Sequence, residues 1–134
     1  MNDSIASALI HAAQRIEERL EAVLADLGLS CAKFGALNVL VDKDKPVSLS
    51  DLAAKLTCVR SNITQLVDRL EADGLVKRTD DPADRRAVFA EVSALGRKRH
   101  AAGAKAVNVV HQAVASELSA MNLQALKRAL NAVR

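Results

Sequence analysis

Aromatic side chains are almost missing from this sequence: it has no Trp and no Tyr, and Phe34 and Phe89 are its only two Phe residues. Proteins that grip single-stranded nucleic acid stack bases on aromatic rings, so that mode of binding is not expected. The core must instead be built from Leu, Val, Ile and Ala. Cysteine is equally scarce. Cys31 and Cys58 make no disulfide framework, and neither has a Cys or His nearby at the spacings that build zinc sites, so a reducing, cytoplasmic setting is the expectation. No stretch of about 18 apolar residues occurs, which argues against a membrane span. The amino-terminal MNDSIASALIHAAQRIEERL lacks both a basic region and an uninterrupted apolar run, so no membrane is expected as a partner. Also missing are a Ser-His-Asp set, paired carboxylates and a Gly-rich phosphate loop, so neither an enzyme nor a cofactor is expected.

What is present bounds the fold. The 134 residues, half of them hydrophobic, suffice for one compact domain but are few for two. Nineteen Lys and Arg against sixteen Asp and Glu give a net charge of +3. That balance permits an anionic partner without requiring one.

Ile5, Leu9, Ile16, Leu20, Val23, Leu24 and Leu27 recur at helical spacing and predict an amphipathic helix ending at Gly28. Ser30 can cap a second helix of about three turns with Phe34, Leu37, Leu40 and Val41 on its apolar side, ended by the run DKDKP. Ser48 and Asp51 have capping-box spacing and open a short third helix through Leu56. After the break TCV comes a fourth, with Ile63, Leu66, Val67 and Leu70 inward, which stops at Gly74 with Leu75 placed to pack back on its last turn. Two short helices with a tight break between them outline a helix-turn-helix. LVKRT and AVFAEVS flank the turn DDPAD and predict a hairpin. From Ser93 the pattern is helical again, with Val107, Val110, Val114 and Leu118 on one face, and a last helix follows a break at Ser119. Apolar helices at both ends exceed what one small core consumes, and this predicts a homodimer.

The outward face of the fourth helix carries Ser61, Gln65 and Asp68, flanked by Asn62, Thr64 and Arg69, with Arg60 at its start. Gln, Asn and Arg read base edges in a major groove, and Ser and Thr take base edges or phosphate. Any solvated helix face is polar, so this face alone would not decide. The hairpin adds the argument, because Arg85 and Arg86 stand at its tip, where a guanidinium can reach a narrow minor groove, and Asp84 can hold an arginine in place. The expected partner is double-stranded DNA. The rival reading is a winged-helix protein-interaction module that binds no DNA. Such a module has no need of Arg60, Arg69, Arg85 and Arg86 on one side.

His100 and His111 lie eleven residues apart, about 16 Å along one helix, too far to share a metal within a subunit. His11 could join from elsewhere, but no local His or Glu cluster accompanies it, so no metal site is expected.

The run SLSDLAAKL, continued by NITQLVDRLEADGLVKRTDDPADRRAVFAEVSALG, resembles the core of the multiple-antibiotic-resistance regulator (MarR) family of winged-helix transcription factors. The family's D-x-R wing motif appears as Asp84 to Arg86, and its Leu-Thr-x-x-Gly as Val92 to Gly96. LSCAKFGALNVL resembles the family's second helix, so the likeness spans nearly the whole chain. It implies a mainly α fold with a small β-hairpin wing, and one domain over 1–134. Within it, a winged-helix lobe would occupy 30–96, and 1–27 and 97–134 would form a helical dimerisation region. It also implies intertwined terminal helices, a pseudo-palindromic operator, and repression until a small ligand or oxidant loosens the dimer. Three positions depart from the pattern: Val59 replaces a capping Ser, Arg60 a Pro, and Lys33 a common Gln.

Some family members sense oxidants through a cysteine of the first helix, which here has none. Cys31 is expected at the start of the second helix, where the helix dipole lowers a thiol's pKa, and it is the candidate redox residue. Cys58, at an apolar position of the turn, is read as packing.

Overall fold

The computed structural model describes residues 4–56, 60–81 and 83–134, with the side chains of residues 60, 61, 81 and 84–86 outside the description. The break at 57–59, with Cys58 and Val59, therefore lies outside the described residues.

Among the described residues, six helices and three strands follow one another as α1 (Ile5–Ala25), α2 (Cys31–Lys43), β1 (Val47–Ser48), α3 (Leu49–Lys55), α4 (Arg60–Ala72), β2 (Val76–Asp81), β3 (Asp84–Val92), α5 (Ala94–Glu117) and α6 (Leu123–Asn131). Short polar residues set the helix starts by accepting an N–H that the helix itself cannot satisfy. The Lys33 N–H donates to Ser30 Oγ, the Asp51 N–H to Ser48 Oγ and the Ala125 N–H to Asn122 Oδ1, each at 3.1 Å. These are the predicted caps of α2 and α3, together with that of α6. The first helix is shorter than expected: it ends at Ala25 and a turn carries the chain through Gly28.

The sheet is antiparallel in the order β1-β3-β2. The sequence pattern predicts only the hairpin. The third strand is two residues long, with Val47 opposite Ala90 and Ser48 opposite Phe89, and two residues show no alternation to detect. In the hairpin the register shifts between Asp80 and Asp81, where pairing passes from Asp80 and Val88 to Asp81 and Asp84. Such a bulge bends and twists the ribbon at its tip.

The core is aliphatic throughout. Leu24, Leu37, Leu40, Leu52, Ile63, Val67, Leu70 and Leu75 are all but sealed from solvent, and among the described residues no polar or charged side chain is buried with them. Leu24 of α1 and Val110 of α5 share in this burial, and the Arg99 guanidinium donates to the Leu27 carbonyl at 3.0 Å to hold α5 against the end of α1. Elsewhere on the terminal segments Ile5, Ile10, Val109, Met121 and Val133 are exposed, and no residue of α6 is buried.

Candidate nucleic-acid interface

The end of α4 is fixed by its sequence. Leu75 N–H donates to the Leu70 carbonyl and Gly74 N–H to the Glu71 carbonyl, both at 2.9 Å, and Gly74 takes a φ of 77° that a side chain would disfavour. Leu75 then drops into the core, as its place after the glycine predicts. Ser93 locks the start of α5 onto this turn: its hydroxyl donates to the Gly74 carbonyl at 2.6 Å and accepts the Gly96 N–H at 2.9 Å. Gly96 lies so close that a Cβ there would come within 2.1 Å of the Leu75 carbonyl oxygen.

With Ile63, Val67 and Leu70 buried, Asn62, Thr64, Gln65, Asp68 and Arg69 are turned outward. Asn62, Gln65 and Arg69 also line a shallow cleft against Ala32 at the start of α2. Arg60 and Ser61 belong to the first turn of α4, and Asp84, Arg85 and Arg86 to the start of β3 next to the bulge; their side chains are not described. Lys33 Nζ bonds Asp73 at 2.7 Å, tying α2 to the end of α4.

One contact escaped the sequence reading. Arg78, on β2, pairs with Asp68 and lies 3.8 Å from Glu71 on α4, and its own N–H donates to Glu71 Oε2 at 3.1 Å. The hairpin is thereby clamped to the helix. Asp68 would otherwise present a free carboxylate on the outward face. Nothing local marks Arg78, because its partners are ten and seven residues back on another element.

Cys31 corrects an expectation. It is the first residue of α2, as predicted, but its thiol is pushed up to about 12. Burial raises it first, and the Glu21 carboxylate, which accepts hydrogen bonds from the Cys31 thiol and N–H, raises it further. Burial and a neighbouring anion together outweigh the dipole of the helix end. His100 stacks on Phe34, with ring centroids 5.3 Å apart, and its Nε2 lies 2.9 Å from Asn38 Oδ1; burial holds its pKa below the usual histidine value. Among the described residues, no group of three or more His, Cys, Asp or Glu could hold a metal ion.

A helix-turn-helix outline with a three-stranded sheet and a clamped hairpin beside its second helix defines the winged-helix class. Residues 39–88 match the MarR family model. It is similar to the HTH-type transcriptional regulator PrsX of Escherichia coli, 35% identical over 79 residues that cover 58% of this chain and 48% of PrsX. The match thus spans about half the length of that curated relative. Its fold is similar to that of the transcriptional repressor CouR bound to a 23-mer DNA duplex, with a TM-score of 0.85 and 29% identity over 96% of this chain and 91% of that one. CouR from Rhodococcus jostii RHA1 bound to p-coumaroyl-CoA is similar too, with a TM-score of 0.80 and 24% identity over 96% of this chain and 88% of that one. No helix among the described residues is long and apolar enough to cross a membrane.

Proposed function

We propose that the chain is a sequence-specific, double-stranded-DNA-binding transcriptional regulator that acts as a homodimer on a pseudo-palindromic operator. It works by binding and not by catalysis, as a repressor in the cytoplasm, and a small ligand releases it. The observation that carries this reading is the outward face of α4. Asn62, Thr64, Gln65 and Arg69 stand exposed on a helix whose inner face is buried, and Arg78 holds the hairpin beside it. That helix suits a major groove, and the hairpin suits the backbone and the adjoining minor groove. In this reading Arg60 and Ser61 contact the backbone near the helix start, and Arg85 and Arg86 enter the minor groove with Asp84 orienting Arg86.

The relatives support the reading by what their own descriptions state: one is a repressor bound to a DNA duplex, and the same protein is known with an acyl-CoA. Selection of bound sequences from a random duplex pool tests it. A regulator of this kind enriches a two-fold symmetric site. A pool that stays random, together with no gel shift on any duplex, would sink the proposal and favour a protein-interaction module.

A further inference from the structure

We propose, on the DNA-binding reading just given, that Asn62 and Gln65 read two neighbouring adenines in each half-site and that Arg69 holds a backbone phosphate beside them. The charges on and around α4 point this way. Asp68 and Glu71 both face Arg78, the latter at 3.8 Å, and Asp73, just past the end of the helix, holds Lys33 at 2.7 Å. Each of these three carboxylates, which a duplex backbone would repel, thus faces a cation from a neighbouring element. By contrast, among the described residues the side chains of Asn62, Gln65 and Arg69 hold no hydrogen bond or ion pair, and all three are exposed. Ala32 and Leu66 line the same cleft, and their side chains offer no polar partner.

Asn62, Gln65 and Arg69 lie within about 60° of one another around the helix axis, on the flank toward α2, whereas Asp68 and Glu71 lie on the flank toward the hairpin. Along that axis Asn62 and Gln65 are about 4.5 Å apart, and base pairs rise about 3.4 Å each, so the two amides meet neighbouring pairs. An amide head carries an acceptor beside its donors. In the major groove adenine presents the complement, the N6 donor next to the N7 acceptor. Guanine presents two acceptors there, cytosine a donor, and thymine an acceptor and a methyl group, so none of them satisfies both halves of the amide. A guanidinium has donors only and suits guanine or phosphate. Arg69 stands in the last turn of α4, while a recognition helix meets base edges with its N-terminal residues, so phosphate is its partner.

The test is selection from a random duplex pool, repeated with variants of the full chain. The parent is expected to enrich half-sites with two adjacent adenines on one strand. Gln65→Arg should turn one of these into guanine in both half-sites and leave its neighbour unchanged, and such an altered preference also shows that the variant is folded. Replacing the adenine under Gln65 by 7-deazaadenine, which keeps its pairing but lacks N7, should weaken the parent roughly 5- to 150-fold and leave Gln65→Ala nearly unaffected. Arg69→Gln should weaken selected and unrelated duplexes alike and lower the slope of log affinity against log salt by about 0.9, with no change of preferred base. A symmetric site without adjacent adenines, a Gln65→Arg site identical to the parent's, a 7-deazaadenine loss that persists in Gln65→Ala, or a new base preference in Arg69→Gln would overturn the assignment and leave the DNA-binding reading standing. A pool that stays random would overturn both.

Discussion

At the scale of single residues, the Cys31 thiol is held up first by burial and then by Glu21, which lies ten residues earlier on a different helix. With its pKa raised from 9.0 to about 12, the thiol holds far less thiolate below pH 9 than a free cysteine does. The population falls about a thousandfold, partly offset by the greater nucleophilicity of a more basic thiolate, so labelling should be at least tenfold slower. Iodoacetamide labelling read peptide by peptide, with Cys58 scored separately, is the check, and Glu21→Gln should speed it. A Cys31 that labels as fast as a free thiol would show that Glu21 does not control it. Gln65 is the opposite case, an exposed side chain whose worth lies wholly in the partner. If it reads a base, Gln65→Ala should cost about 1–3 kcal/mol on the selected site and leave binding to unrelated duplex nearly intact. Equal losses on both duplexes, measured by fluorescence anisotropy at one salt concentration, would show that it does not read bases.

At the scale of elements, the clamp between β2 and α4 separates two quantities that are easily confused. The Arg78 side chain is 27% exposed and its acidic partners 57% and 47%, so the pairs should add no more than about 1 kcal/mol to folding. Their effect on DNA binding should be larger. Arg78→Ala frees Asp68 and Glu71 beside the phosphates and unties the hairpin, and is expected to weaken specific and unrelated duplexes alike while the urea midpoint barely moves. Adding Asp68→Asn and Glu71→Gln should recover part of the loss. If Arg78→Ala binds as its parent does, the clamp has no bearing on DNA. The contrast between α4 and this clamp shows what a single sequence can reveal. The stop at Gly74, the return of Leu75 and the caps at Ser30 and Ser48 depend on residues within one turn of each other, and all were legible. The outward positions of α4 followed from its period. Strand β1 was too short to carry a pattern, and the Arg78 pairing and the Glu21 contact depend on which surfaces meet in space, which periodicity does not encode.

At the scale of the whole molecule, exposed area speaks for a partner copy. A compact monomer of 14.3 kDa should expose about 6,800 Å², whereas this chain exposes 9263 Å². Ile5, Ile10, Met121, Leu130 and Val133 of the terminal segments are among the apolar residues left exposed. Deleting residues 119–134 is therefore expected to give an aggregated or unfolded chain, and a well-folded, monodisperse monomer in sedimentation would count against the dimer. In the proposed dimer, the joint at Ser93 has a mechanical consequence. One hydroxyl spans the end of α4 and the start of α5, and Gly96 leaves no slack against the Leu75 carbonyl, so the two helices turn as one rigid crank. The long arm of the crank, α5, has 24 residues and is about 36 Å long, so a tilt of about 10° about its far end swings the near end by roughly 6 Å. Base pairs rise about 3.4 Å each, so the swing carries α4 almost two steps along the duplex. A ligand that tilts α5 by so little would put the two recognition helices out of step with their half-sites without unfolding anything.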